Sequence, residues 1–209
     1  MNRFSVVVLM VLASLAGWSQ EVKPIDSETL FTCFKQGNKG DCVSIGLIKA
    51  AICVYGVNGV FEEHKINDTL TEVTLKNGKK YIVTDTEFKI ADTAMHISAG
   101  KPALPIVMRY ATRCFAVMAK VKQDIDNTPT FKEAIEKLSH SASGHKSFYK
   151  LGLENKVVML DKNPDYSTVC GGVAWTKKHV LFVCNGYMDR YGRRVPIEEQ
   201  YFGGFKILP

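Results

Sequence analysis

From Cys42 to Tyr55 the chain reads Cys-Val-Ser-Ile-Gly-Leu-Ile-Lys-Ala-Ala-Ile-Cys-Val-Tyr, in which Ser44 and Lys49 are the polar residues before the closing tyrosine. A helix that is apolar nearly all the way round has no face to turn to water, so it must lie at the centre of a domain with other elements packed around it. The polar, glycine-bearing stretch Gln36-Gly37-Asn38-Lys39-Gly40-Asp41 just before it reads as a loop. Ahead of that loop, Ser27 to Thr32 has the makings of a short turn of helix, with Phe31 and Phe34 as its apolar contacts.

The elements to be laid around that helix change character along the chain. Leu70–Leu75 and Lys79–Thr84 flank Asn77-Gly78, the pair whose tolerance of positive φ favours a two-residue hairpin. Pro105 to Val121 carries apolar residues at helical spacing, and a shorter helix after Pro129 gathers Phe131, Ala134, Ile135 and Leu138 on one face. Beyond them come short β-rich segments separated by turn residues: Lys156–Leu160, Gly172–Trp175, His179–Cys184 and a stretch near Val195–Phe202. Helices first, an intervening hairpin and then a mostly antiparallel sheet make an α+β layout.

The N-terminus reads as an export signal. Arg3 precedes an apolar run from Phe4 to Gly17, followed by Trp18-Ser19-Gln20 and the charged Glu21 and Lys23. The run falls short of the roughly 20 apolar residues of a membrane span. Residues 1–20 are therefore expected to be a cleaved signal peptide, with the mature chain starting between residues 19 and 22. Residues 21–209 would form one domain, secreted or periplasmic and without a membrane contact of its own. The formal net charge of +6 is spread along the chain in short pairs such as Lys79-Lys80, Lys177-Lys178 and Arg193-Arg194. A nucleic-acid binder concentrates such charge in a stripe with interleaved aromatics, and none is visible. The six cysteines (33, 42, 53, 114, 170 and 184) can form disulfides in an oxidising compartment. A Cys42–Cys53 bridge is excluded if both lie on one helix, because eleven residues at 1.5 Å each separate them by about 16 Å.

Cys42 stands where a loop becomes a buried helix, so the positive end of the helix dipole favours its thiolate. The segment Gln36 to Cys42, with a glutamine six residues before Gly40-Asp41-Cys42, resembles the active-site segment of the calpain and papain-like cysteine proteases. That resemblance implies a two-lobed papain-like fold, with Cys42 as nucleophile and Gln36 as oxyanion-hole donor beside the Cys42 N–H. Gly40 and Asp41 would border the substrate. His179 opens the apolar strand Val180-Leu181-Phe182-Val183-Cys184, which ends near Gly186-Tyr187, and Gly171-Gly172-Val173-Ala174-Trp175 precedes it. This is similar to the base-bearing strand pair of the same family, and it implies His179 as the general base rather than His64, His96, His140 or His145. His140 and His145 lie in a small polar loop, and without a third ligand nearby their spacing makes a weak zinc site.

The chain also departs from the family pattern. Val43 stands where the family has a tryptophan, and the Asn-Pro-Trp or Asn-Ser-Trp segment that carries the orienting asparagine is missing. Asp189, expected in a turn, and Glu198, expected on the following strand, are the candidates to fix the imidazole; Asn185, on the histidine's own strand, points back less plausibly. The reaction implied is hydrolysis of a peptide or protein substrate through a thioester, with no metal or organic cofactor. Three alternatives stand beside it: a transglutaminase-like or deamidating enzyme using the same dyad, a catalytically inactive papain-like fold acting as a secreted binding module, and a structural domain in which Cys42 is bridged.

Overall fold

The computed structural model describes residues 21–37, 40–139, 144–161, 164–176, 179–197 and 203–209. The expected signal peptide therefore lies outside the described residues. The first element is α1 (Ser27–Thr32), whose N-cap Asp26 accepts a hydrogen bond from the Thr29 N–H. It runs into β1 (Phe34–Gln36), and after the loop comes α2 (Cys42–Tyr55), with the bounds that the apolar run implies. Next are β2 (Glu62–Lys65), β3 (Leu70–Thr74) and β4 (Lys80–Thr84), an antiparallel sheet in the order β2-β3-β4. β3 and β4 are joined around Asn77-Gly78, but by a three-residue loop rather than the expected two-residue turn. The Leu75 N–H donates to the Lys79 carbonyl and the Gly78 N–H to the Leu75 carbonyl. Of the pair Gly78 alone takes positive φ, +81°, while the Asn77 side chain accepts from the Lys79 N–H.

Between the β3–β4 hairpin and α4, two elements are additions to the sequence reading, as β1 and β2 are before it. A helix, α3 (Asp85–Ala94), starts from a capping box in which Thr84 and Glu87 bond each other's backbone N–H. A short strand, β5 (Ile97–Ala99), pairs with β1 and sets Gln36 opposite Ile97. The helices α4 (Pro105–Ile125) and α5 (Phe131–Ser139) follow as expected, α4 entered through a proline at its first turn.

The C-terminal part is a six-stranded sheet of β6 (Val157–Leu160), β7 (Gly172–Trp175), β8 (Val180–Cys184), β9 (Tyr187–Asp189), β10 (Arg194–Pro196) and β11 (Gly203–Ile207). Every pairing is antiparallel, in the order β10-β9-β8-β7-β11-β6. Separate helices and antiparallel sheets make the chain an α+β protein. The segment expected as one strand near residues 195–202 holds two short strands in its neighbourhood, and Glu198 lies outside the described residues. Asp189 is not in a turn: it closes β9, opposite Arg194. Among the described residues no helix is long and apolar enough to cross a membrane.

The apolar run of β8 follows from burial on both faces. Val180, Phe182 and Cys184 join the main core with α2, while Leu181 and Val183 join a second cluster with Tyr166, Val169, Ala174 and Met188. On α2, positions 42, 46, 49 and 53 fall on one stripe of the helix, spaced by three or four residues. Gly46 lets that stripe lie close to β8, since a Cβ there would already touch the Leu181 and Phe182 backbone at 3.4 Å. At the far end of the stripe, the Cys53 sulfur is 3.4 Å from Cys170, which is disulfide-bonded to Cys184. Cys42 is outside any disulfide, and Cys33 and Cys114 are buried free thiols.

Candidate active site

Four of the sequence-predicted residues come together. Gln36, Cys42, His179 and Asp189 line one small cleft at the N-terminal end of α2, together with Ile45, Gly46, Tyr191 and the first residues of β8. They arrive from four separate elements. Gln36 is the last residue of β1, held by the β5 pairing and by the Gly37 N–H donating to the His96 carbonyl at 2.6 Å. Cys42 is half-buried in the first turn of α2, where the direction of the backbone N–H groups and the helix dipole favour negative charge. His179 sits at the mouth of the β7–β8 hairpin. Its N–H donates to the Thr176 hydroxyl at 3.1 Å, and its carbonyl accepts from the Thr176 N–H at 2.9 Å. Asp189 reaches the same space from the end of β9.

The electrostatics of Asp189 are set by three neighbours. Burial pushes its carboxyl up from the ordinary carboxylate range, while Lys49, the Gly192 N–H and His179 pull it back down. One oxygen accepts from the Lys49 ammonium at 2.6 Å, and the other accepts from the Gly192 N–H at 2.7 Å. Lys49 is wholly buried, and its remaining donors go to the Phe31 carbonyl at 3.1 Å and the Phe34 carbonyl at 2.6 Å.

The other sequence-predicted positions are distributed differently. Gly40 is exposed beside the helix start. Asp41 precedes the first turn of α2, its carbonyl accepts from the Ile45 N–H, and the residue is buried at 1% exposure, unlike the exposed Gly40 beside it. His145 packs edge-on against Trp175 with centroids 5.9 Å apart and is not part of the cleft lining around Cys42. His140 lies outside the described residues, and His64 lies on β2 in a different pocket.

Two residues of the site escaped the sequence reading. Tyr191, itself largely exposed, stacks its ring on His179, with centroids 4.9 Å apart and planes 21° from parallel. Lys49 carried a signal in plain sight: a cation in the middle of an all-round apolar helix has to find an anion and carbonyls indoors, because burying it unpaired is prohibitive. Chemically, the cleft holds a thiol at a helix N-terminus, an imidazole, a side-chain amide and a buried carboxylate, the set required for acyl transfer through a thioester. No protein-family model, curated protein or solved structure matches the chain, so the geometry stands by itself.

Proposed function

We propose that the protein is an exported cysteine hydrolase with a papain-like arrangement of nucleophile helix and base-bearing sheet, acting on peptide amide bonds. The observation that carries this reading is the convergence of Cys42, His179, Gln36 and Asp189 on one cleft from four separate elements. In the reaction, His179 takes the Cys42 proton and the thiolate adds to the substrate carbonyl. The Gln36 amide and the Cys42 N–H receive the oxyanion. The imidazolium then returns its proton to the departing amine, leaving a thioester that water hydrolyses with His179 again as base. Asp189 stands in for the family's asparagine as the group that orients the imidazole.

The test is hydrolysis of a fluorogenic peptide library by the mature protein and by Cys42→Ser and His179→Ala. The expected outcome is measurable turnover in the wild type and loss of at least about 10³-fold in each variant. Transglutaminase-like and deamidating activity differ in product, a cross-linked or deamidated glutamine, which mass spectrometry distinguishes from a cleaved chain. A second reading, a secreted binding module without catalysis, is favoured by the small cleft: the cavity at the site is about 10 Å³, with Tyr191 across the imidazole. An intact thiol and imidazole with no turnover on any amide would select it.

A further inference from the structure

We propose that Lys49 is a positioning residue of this site, holding Asp189 as an anion beside His179 and tying the Gln36 strand to the nucleophile helix. The inference rests on the hydrolase reading above. It starts from the helix stripe: Lys49 is two turns along from Cys42, so its stem runs down the interior side of α2 and its head emerges between α1, β1 and β9. There it makes three hydrogen bonds, matching the three donors of an ammonium: two to the carbonyls of Phe31 and Phe34, one to Asp189. Phe34 opens the strand that ends in Gln36, and its ring lies 4.5 Å from the ammonium. One cation thus joins the nucleophile helix, the strand of the oxyanion donor and the orienting carboxylate.

The surroundings make that arrangement one-sided. The groups around Asp189 are Lys49 from α2, His179 from the start of β8, the Gly192 N–H from the following turn and the buried thiol of Cys33 after α1. Arg194, opposite on β10, is engaged elsewhere, stacked on Tyr187 at 3.3 Å and paired with Glu28. Among the described residues, the ion pair on the Asp189 carboxylate comes from Lys49. Burial raises the Asp189 carboxyl, so without Lys49 it takes up a proton more readily, and a neutral acid no longer favours the imidazolium that accompanies the Cys42 thiolate. The acid limb of Cys42 reactivity then moves to higher pH.

The experiment measures the pH profile of Cys42 alkylation by iodoacetamide, with peptide mapping, in the wild type, Lys49→Met, Asp189→Asn and the double variant, each at a temperature where circular dichroism shows it folded. Lys49→Met is expected to move the acid limb upward by about one pH unit or more, in the same direction as Asp189→Asn. The double variant is expected to move it no further than Asp189→Asn alone, because both substitutions act through one carboxylate. It is also expected to recover part of the melting temperature lost in Lys49→Met, since the buried unpaired carboxylate is gone. A recovered melting temperature with an unmoved acid limb in Lys49→Met would make Lys49 a purely structural residue and overturn the proposal; so would additive shifts in the double variant. If wild-type Cys42 reacts no faster than the other thiols and no amide is hydrolysed, the hydrolase reading itself falls, which is a different result from a normal wild type with an indifferent Lys49→Met.

Discussion

The two ends of α2 each carry a cysteine on the same stripe of the helix, and they are opposite environments. Cys42 occupies the first turn, half-exposed, at the positive end of the helix and among polar side chains. Cys53 occupies the last turn, where the negative end of the dipole opposes a thiolate, and it is packed against the Cys170–Cys184 disulfide. Burial pushes its thiol up to about 11. One helix therefore holds a sulfur in a place suited to charge and another in a place suited to packing. The lesson is that reactivity here is assigned by the end of the helix and by its neighbours rather than by residue type.

The largest effect that sharpens this contrast is chemical. With its thiol at about 11, Cys53 has on the order of one molecule in 10⁴ ionised at pH 7, so Cys42, half-exposed at the positive end of the helix, should be alkylated well before it. The Cys53 rate should climb about tenfold per pH unit and level off near 11, as followed by peptide mapping. Equal rates at neutral pH would erase the difference between the two ends.

A second effect is thermodynamic. Cys170→Ser removes the sulfur shared by both neighbours, and loss of the disulfide should lower stability by about 3 kcal/mol in denaturant titrations. Cys184→Ala should cost less. With Cys53 already 3.4 Å from Cys170, a replacement bond between those two forms in an oxidising glutathione buffer and is visible as a linked peptide pair. Recovery of both as free thiols would mean that the C-terminal end of α2 packs against the disulfide without being able to join it. The smallest effect is a control away from both ends: Thr84→Ala breaks the α3 capping box and should cost about 1 kcal/mol while leaving the Cys42-to-Cys53 labelling ratio unchanged.

What was legible in the sequence follows the strength of local signals. The bounds of α2 could be read because an all-round apolar run has one solution, and the position of the β3–β4 hairpin because Asn77-Gly78 marks it, although the loop closes one residue wider than that pair implies. The helix α3 went unread because Ala91 alone is buried along its length, although Thr84 and Glu87 announce its start. The strands β1, β2, β5 and β9 are three or four residues long, too short for a period to emerge. At the candidate site, Gln36, Cys42 and His179 were singled out by a resemblance carried by a short segment and one strand pair, and they line one cleft. The Lys49–Asp189 contact joins residues 140 apart in the chain, and a buried cation announces that it has a partner without saying which.

Gly46 gives the site a dimension that none of its reactive groups supplies. It sits one turn beyond Cys42 on the side facing β8, where a bare backbone lets helix and sheet touch. The spacing between α2 and β8 next to Cys42 and His179 is therefore gauged at a residue without a side chain. A bulkier side chain at 46 would act as a shim, opening the jaws while leaving every tool in them intact.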